Sequence, residues 1–371
     1  MRRVRFAMLW LGATLLVVSV LHAGPPPNPA AGASAARPTD VAQVSRPRVS
    51  PARATAQDQG SPFFSRAACE ARSHRPERAA KRGPRIGSWN IRWFPFGTKD
   101  GSDLERRTDL VWLACAIASL DVDVLAVQEM VQNPEGRGAL LDLLADLDAR
   151  TGGHWRAELD ECPGSGRQHV GFLFDTSRVQ ASEIREVAAL NPGRSACDRN
   201  LRPGFGLRAR FSGGADVELV SVHLDSGITA RDFANRRRSV ARIADVHALL
   251  RTRAGDPELF VLGDFNSMGC KDCVPSVDAE TEISGLDAEL APMELQRLPL
   301  PQAHACTHYQ RGRPGVLDHV VMPVAGSLPA RVEVYGPCRD LGCMEPPRGQ
   351  HPEALERLSD HCPLVVELGK G

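Results

Sequence analysis

The chain has 371 residues, of which 42% are hydrophobic and 24% are charged. This length and composition are enough to bury a full core, which excludes a protein that is disordered throughout. Basic and acidic residues number 45 each, so the formal charge is zero. A non-specific nucleic-acid coat protein, which needs a strongly basic field, is therefore excluded as well.

The first 23 residues have the pattern of a signal peptide. Arginine occupies three of the first five positions, an apolar run covers 6–21, and Ala23 precedes a polar, proline-rich stretch. This order predicts export and cleavage after Ala23. Leu21 fits the cleavage pattern poorly, so an uncleaved membrane anchor is the alternative. Both interpretations place the rest of the chain outside the cytoplasm, secreted or periplasmic.

Composition divides the remainder into a spacer and one folded domain. Residues 24–83 are rich in Pro, Ala, Arg and Ser without apolar periodicity, which predicts a disordered spacer. From 84 to 371, short apolar runs alternate with amphipathic stretches, as is typical of a layered α/β domain. Strands are predicted over 85–90, 124–128, 170–174, 207–211, 217–223, 259–263, 317–322, 331–335 and 364–368, and helices over 105–120, 138–150 and 232–253. These elements predict two packed sheets with helices outside.

Polar residues stand where many of these strands end. They are Asn90, Glu129, His223, Asp264, Asn266, Asp318, Asp360 and His361. Because side chains at strand ends meet along one rim of a sheet, we expect this set to converge in space. Any one of these residues alone fits a turn or a cap. Their shared position favours a single site.

The residue types at these strand ends match the needs of phosphodiester hydrolysis. Mg²⁺ prefers oxygen ligands, and Glu129 and Asp360 are the candidates; Mn²⁺ and a structural Ca²⁺ stay open. Hydrolysis also needs an activated water and donors for the developing charge on phosphate. His361, bonded to Asp318, is the candidate base, and Asp264 is expected to orient the water. The candidate donors are Asn90, Asn266 and His223.

The motifs WN, QE, HL, GDFN, LDH and SDH occur in this order, and their combination resembles the endonuclease/exonuclease/phosphatase superfamily over 85–368. NIRWF at 90–94, GFLF at 171–174 and a cysteine soon after GDFN are similar to deoxyribonuclease I. The resemblance implies a four-layer α/β sandwich of two mixed sheets flanked by helices. It also implies a metal ligand at Glu129, a catalytic pair of His223 and His361, supporting roles for Asp264, Asn266, Asp318 and Asp360, and a nucleic-acid contact by Arg92.

One position departs from the deoxyribonuclease pattern. Where that enzyme has a glutamate partner for its first histidine, this chain has Gln168. A neutral partner does not raise the pKa of His223 as a carboxylate does. His223 is therefore either the general acid or a hydrogen-bond donor to phosphate, and Gln168 is assigned to the substrate side. Five arginines of the helical stretch after HLDSG, Arg231, Arg236, Arg237, Arg238 and Arg242, form either a polyanion contact or a solvated face.

Ten cysteines fit an oxidising compartment. Cys115 and Cys362 lie in apolar stretches and are predicted to be buried free thiols. The expected bridges are Cys338 with Cys343, Cys162 with Cys197, and a pairing among Cys270, Cys273 and Cys306. A zinc site is the rival interpretation for Cys270, Cys273, His304, Cys306 and His308. Otherwise His169, His304, His308, His319 and His351 are expected to be structural or surface residues.

The leading hypothesis is a metal-dependent nuclease acting on DNA or RNA, with endo- and exo-cleavage both open. The alternative is a sphingomyelinase-like phosphodiesterase that touches phospholipid through the aromatic segment 93–96. That segment also fits core packing or base stacking. A catalytically inactive binding module is the third hypothesis. No feature of the sequence predicts an obligate protein partner, so we expect a monomer.

Overall fold

A computed structural model describes residues 60–72, 83–161, 168–191, 201–202, 204–251, 258–347 and 349–369. All of them belong to one unit that spans Ala52–Gly371. The predicted signal peptide lies outside the described residues, as do Cys162 and Cys197. None of the helices in these ranges is long and apolar enough to cross a membrane.

Two six-stranded sheets form the centre of the molecule, with strands numbered in chain order. The first sheet runs β13 (Ala330–Val334), β14 (Leu364–Leu368), β1 (Arg85–Phe94), β2 (Val124–Val131), β4 (Gln168–Asp175) and β3 (Trp155–Leu159). The second runs β5 (Val179–Val187), β6 (Gly204–Phe211), β7 (Asp216–His223), β8 (Glu258–Asp264), β12 (Asp318–Pro323) and β9 (Leu295–Arg297). A separate hairpin pairs β10 (His308–Gln310) with β11 (Arg313–Gly315).

The described residues form eight α-helices, most of which cover the outer faces of the two sheets. They are α1 (Arg66–Ala71), α2 (Leu110–Leu120), α3 (Pro134–Thr151), α4 (Ala230–Ala241), α5 (Ile243–Arg251), α6 (Ala279–Leu290), α7 (Pro337–Asp340) and α8 (Glu353–Arg357). Local signals fix several of their ends. Asp109 caps α2 by accepting from the Trp112 amide, and α3 begins after Asn133 with proline at its first position and ends at left-handed Gly152.

Three apolar clusters separate four layers. One lies between the sheets, one beneath α1, α2 and α3, and one beneath α4, α5 and α6. Strand β1 illustrates how the sequence divides between them, because alternate side chains point to opposite faces. Ile86 packs between the sheets, whereas Trp89 and Ile91 pack under the helices. The four-layer sandwich implied by the resemblance is confirmed.

Each sheet contains one parallel pair, and these pairs position the site. Strands β1 and β2 are parallel and joined through α2, and β7 and β8 are parallel and joined through α4 and α5. A parallel pair needs such a crossover, and it brings two carboxyl ends side by side. His223 and Asp264 are the last residues of β7 and β8, and Asn90 and Glu129 lie where the pairing of β1 with β2 becomes irregular.

The nine predicted strands are all present, and most extend by a few residues. The predicted helix over 232–253 is instead two helices, α4 and α5, separated by a turn at Arg242. Two longer edge strands, β3 and β5, were not predicted, because their exposed polar residues hide the apolar pattern. Helix α6 was also missed, since only Leu286 and Leu290 of its twelve residues are buried.

Part of the predicted spacer is folded. Phe63 is buried and meets Trp89 edge to face at 5.9 Å between ring centroids. The Trp112 indole donates to the Pro62 carbonyl at 2.8 Å. Cys69 of α1 is bonded to Cys115 of α2. Residues 60–72 therefore belong to the domain, and the prediction of disorder is wrong for them.

Four disulfides join cysteines within the described residues: Cys69–Cys115, Cys270–Cys273, Cys306–Cys343 and Cys338–Cys362. A bridge was expected among Cys270, Cys273 and Cys306, and the Cys270–Cys273 bond confirms it. The prediction of free thiols at Cys115 and Cys362 is wrong, because both lie opposite cysteines of other segments. The predicted 338–343 bridge is wrong for the same reason. Bridged sulfurs do not ligate zinc, so the zinc interpretation is also wrong.

Candidate active site

Three of the predicted residues lie in one row across the second sheet. The register pairs His223 of β7 with Asp264 of β8, and Asp264 in turn with Asp318 of β12. Gly263 allows the close approach of β7, since a Cβ there would lie 2.1 Å from the Val222 carbonyl oxygen. The row places a central carboxylate between an imidazole and a second carboxylate.

Glu129 reaches the same rim from the first sheet. It has a left-handed φ of 63°, and the pairing of β2 with β4 shifts register between Val127 and Met130. Such an irregularity re-aims a side chain, and it is common beside active sites. The Glu129 carboxylate accepts from Asn90 Nδ2 at 3.1 Å and from the Trp93 amide at 3.0 Å.

Asn90 links the two sheets at this point. Its Nδ2 donates to Glu129 and, at 3.0 Å, to Asp264 Oδ2. The side chain is fully buried, and its Oδ1 has no hydrogen-bond partner within the described residues. Asn90 therefore holds two carboxylates of different sheets together and leaves one oxygen for another ligand.

His361 is fixed by three contacts. Its Nδ1 lies 2.9 Å from Asp318 Oδ2, and its backbone amide donates to Ser359 Oγ at 3.1 Å. Its carbonyl accepts from the Trp89 indole at 2.9 Å. Nε2 then lies 3.7 Å from Asp264 Oδ2. The predicted pair of His361 and Asp318 is present in the structure.

Charge and burial divide the roles of these groups. Burial opposes protonation of His361, but the negative charges of Asp318 and Asp264 outweigh it and raise the pKa of His361 to about 10. Burial, together with the charge of Asp318, raises the pKa of Asp264 to about 7. These shifts favour a protonated His361 and make Asp264 a candidate for the general base. The sequence predicted His361 as the base and Asp264 as the residue that orients the water.

His223 lies on the other side of Asp264. Its Nε2 is 3.6 Å from Asp264 Oδ2 and 3.9 Å from Glu129 Oε1. Burial, with the nearby positive charges of Arg202 and His361, holds the pKa of His223 well below its usual value. Its Nδ1 is buried and makes no hydrogen bond within the described part of the chain. A neutral His223 suits hydrogen bonding to substrate better than proton donation.

Arg202 is a site residue that the sequence did not reveal. Its side chain is 9% exposed and donates to the Gln168 carbonyl at 3.1 Å and to Gln168 Oε1. Burial lowers the pKa of Arg202, while Glu129 and Asp160 oppose that shift. Gln168 therefore helps to hold the positively charged Arg202 side chain beside the site. In the sequence, Arg202 belongs to no motif and to no predicted strand end. Its only distinctive neighbour is Pro203.

Other predicted residues are placed differently. Arg92 is buried and donates to the backbone carbonyls of Arg106, Leu355 and Glu356, so its guanidinium is committed to loop structure and not to a nucleic-acid backbone. Asn266 has a φ of 53° and donates from Nδ2 to the Leu224 carbonyl at 3.0 Å. Its amide donates to Asp264 Oδ1 at 2.8 Å, which shapes the turn after β8.

The arginines of α4 do not form a free cationic face. Arg236 is buried against Glu282, and Arg237 pairs with Glu289. Arg242, in the turn after α4, pairs with Asp245. Arg237 and Arg242 are about half exposed and ion-paired, as expected for a solvated face, whereas Arg236 fits neither interpretation because it is buried.

The residues present fit a hard divalent cation. Burial and then the charge of Asp360 raise the pKa of Glu129, which means that the two carboxylates repel each other. A cation relieves that repulsion, and Asn90 Oδ1 adds a buried oxygen without a partner. Oxygen donors of this kind are those that Mg²⁺ takes, usually with retained waters. No group of three His, Cys, Asp or Glu side chains within the described ranges forms a complete metal cage.

Comparison with known proteins agrees with this geometry. The sequence profile of the Endonuclease/Exonuclease/phosphatase family matches residues 87–361. No curated protein sequence matched the chain.

Solved structures with a similar fold have low sequence identity. An endonuclease/exonuclease/phosphatase from Bacteroides vulgatus gives a TM-score of 0.52 at 16% identity, covering 78% of this chain and 100% of that one. TDP2 from C. elegans gives 0.51 at 16%, with 82% of each chain covered. A mannosyl-6-phosphatase from Bacteroides thetaiotaomicron gives 0.50 at 15%, covering 77% and 99%. The chain belongs to the Endonuclease/Exonuclease/phosphatase family and is a divalent-metal-dependent phosphodiester or phosphate hydrolase.

Proposed function

We propose that this chain is a nuclease that hydrolyses phosphodiester bonds of nucleic acid, with DNA as the first choice of substrate and Mg²⁺ as its metal. The observation that carries the proposal is Asp264, which is shared by Asn90, His223 and His361 and lies across from Glu129. A shared carboxylate with a pKa near 7 is suited to accept a proton from an attacking water.

The side chains around Asp264 supply the remaining requirements of the reaction. His361, held as an imidazolium by Asp318, donates from Nε2 to a non-bridging phosphate oxygen, and neutral His223 donates to a second. Asp264 takes a proton from the water as the water oxygen bonds to phosphorus. The bond to the leaving oxygen breaks, and that oxygen takes a proton from solvent water. A cation held by Glu129, Asp360 and Asn90 Oδ1 would neutralise charge on the phosphate. Arg202 adds a fixed positive charge beside Glu129.

The aromatic segment 93–96 favours nucleic acid over a phospholipid surface. Phe94 is fully buried in the core beneath the helices. Phe96 is half-buried, with the Arg107 guanidinium 5.2 Å from its ring centroid. Insertion into a bilayer needs a contiguous exposed apolar surface. These contacts support the nuclease over the sphingomyelinase-like alternative.

We also propose that the protein works outside the cytoplasm, secreted or periplasmic. The basic and apolar start of the sequence supports export. The four disulfides within the described residues also support it, because such bonds persist in oxidising compartments.

A substrate panel tests the proposed activity. Purified protein with Mg²⁺ is offered duplex DNA, single-stranded RNA, sphingomyelin vesicles and a sugar 6-phosphate, and an Asp264→Asn variant is run beside it. We expect cleavage of nucleic acid by the wild type and a loss of about 10²-fold or more in the variant. Turnover of vesicles or of the monoester with intact nucleic acid would overturn the proposal.

A further inference from the structure

The ring of His308 is in direct contact with the ring of His361, although no motif or strand pattern predicts His308 in the site. The centroids of the two imidazole rings are 4.6 Å apart, with 53° between the ring planes. His308 is 9% exposed, and the backbones of the two residues form an antiparallel bridge. The ring of His308 therefore covers one side of the His361 ring.

The hairpin that carries His308 is attached to the His361 segment on both sides. The Tyr309 amide donates to the Asp360 carbonyl, and the Cys362 amide donates to the Thr307 carbonyl, each at 2.8 Å. Thr307 Oγ1 accepts from the Asp318 amide at 3.0 Å, which links the hairpin to the partner of His361 as well. Its turn has positive φ at Arg311 (51°) and Gly312 (81°), the combination of a tight type I′ hairpin.

Two disulfides join the same segments covalently, and we call them the disulfide clamp. Cys306–Cys343 connects the residue before Thr307 to the turn after α7, and Cys338–Cys362 connects α7 to the residue after His361. Cys343 and Cys338 are only five residues apart, and the Cys343 amide donates to the Cys338 carbonyl at 3.0 Å. The disulfide clamp therefore connects the segment of His308 to the segment of His361 through the short stretch 338–343.

We propose that His308 is a positioning residue of the active site: its ring holds the His361 imidazole with Nδ1 on Asp318 and Nε2 toward Asp264, and the disulfide clamp keeps the two rings in contact. If the His361 ring rotated about its side-chain torsions, it would lose either the contact of Nδ1 with Asp318 or the direction of Nε2 toward Asp264. Misplacement by about 1 Å at a reacting group costs on the order of 10²-fold in rate. The inference rests on the proposed function only in its kinetic tests, which measure hydrolysis of nucleic acid.

The first test needs no substrate. The proton shared by His361 Nδ1 and Asp318 is followed by NMR as a far-downfield resonance in the wild type, His308→Phe and His308→Ala. We expect the resonance to be sharp in the wild type and His308→Phe, and broadened or lost in His308→Ala. An unchanged resonance in folded His308→Ala overturns the inference whether or not the protein proves to be a nuclease.

The second test separates positioning from substrate contact. For hydrolysis of duplex DNA, His308→Ala and His308→Gln are expected to lower kcat by between about 10-fold and 100-fold with KM changed by less than about twofold. His308→Phe, which keeps a flat ring, is expected to recover most of kcat. A change confined to KM, or a Phe variant as slow as the Ala variant, contradicts the positioning role.

The disulfide clamp is tested by Cys306→Ser/Cys343→Ser against the control Cys69→Ser/Cys115→Ser, which removes a bridge in the layer under the helices. Both variants are expected to unfold at lower temperature, but only the first should lower kcat and broaden the His361 resonance. Equal kcat for the two variants at a temperature where both are folded overturns the role of the clamp.

Discussion

At the scale of single residues, Asp264 is the centre of the candidate site because three side chains share it. Asn90 donates to it, and Nε2 atoms of His223 and His361 lie 3.6 and 3.7 Å from the same oxygen. A buried carboxylate with such neighbours is stabilised as a proton acceptor near neutral pH and not as a permanent anion.

Asp318→Asn tests the orientation and charge of His361. The amide no longer stabilises the imidazolium, and we expect kcat to fall by about 10² to 10⁴-fold and the thermal midpoint to fall as well, because the folded protein loses a buried ion pair. Asp287→Asn, which removes an exposed carboxylate paired with Arg297, is the matched control. Activity of Asp318→Asn within twofold of the control would contradict the assignment.

Glu129→Gln tests the metal site. Removal of one carboxylate charge from an oxygen site weakens divalent-cation binding, so the Mg²⁺ concentration for half-maximal rate should rise by at least about 10-fold. The measurement is a Mg²⁺ titration of the hydrolysis rate. An unchanged half-maximal concentration would place the cation elsewhere.

His319→Gln tests the cost of burying a neutral histidine. Burial, and then the charge of Arg297, lowers the pKa of His319 from 6.5 to about 3. The unfolded chain therefore binds a proton that the folded chain refuses, and the free energy of unfolding falls as pH drops from about 6.5 toward 3. Between pH 7 and pH 5 the loss from this residue is about 2 kcal/mol. Gln keeps a partner for Ser267 and removes the titration.

Urea unfolding at pH 7 and pH 5 measures the effect within each protein. Burial lowers the pKa of His308 to about 3 as well, so His308 adds a similar loss of stability to the wild type and to His319→Gln. The wild type should thus lose more stability between the two pH values than His319→Gln does. Equal losses in the two proteins would show that His319 does not contribute.

The site residues that the sequence revealed share one property. Asn90, Glu129, His223 and Asp264 follow apolar strands directly, so their location was given by the pattern of the strands. Arg202 and His308 come from a loop and a small hairpin, and their place depends on how distant segments meet. Local sequence patterns do not show which distant segments come into contact, so the positions of these two residues could be found only from the structure.

At the scale of elements, α1 shows that the domain begins before its first strand. A helix of six residues is not stable alone, and here it is held by Phe63, the Trp112 contact and the Cys69–Cys115 bond. The composition around it is rich in Ala and Arg, which is why the sequence predicted a spacer.

Removal of this attachment should destabilise the whole domain. The Cys69–Cys115 bond closes a separation of 46 residues, for which chain entropy predicts a contribution of about 4 kcal/mol. Cys69→Ser/Cys115→Ser and a fragment beginning at Pro84 should both unfold at lower urea than a fragment beginning at Gly60. Equal midpoints for the two fragments would mean that 60–72 adds nothing to stability.

At the scale of the whole molecule, the paired sheets bring the candidate metal ligand Glu129 and the candidate base Asp264 together. Glu129 belongs to one sheet and Asp264 to the other, and Asn90 spans them. The sequence predicted this architecture well because nine strands have strong apolar patterns. It predicted the cysteine bridges poorly, since pairing depends on distances between segments that sequence spacing does not carry.

The most direct measurement is cleavage of a labelled duplex oligonucleotide by the purified chain, with Mg²⁺ or with excess chelator, beside His361→Ala and the surface variant Arg237→Ala. The account predicts cleavage by the wild type and Arg237→Ala only when Mg²⁺ is present, and a rate at least about 10²-fold lower for His361→Ala. Cleavage in chelator, or equal rates for His361→Ala and the wild type, would contradict it.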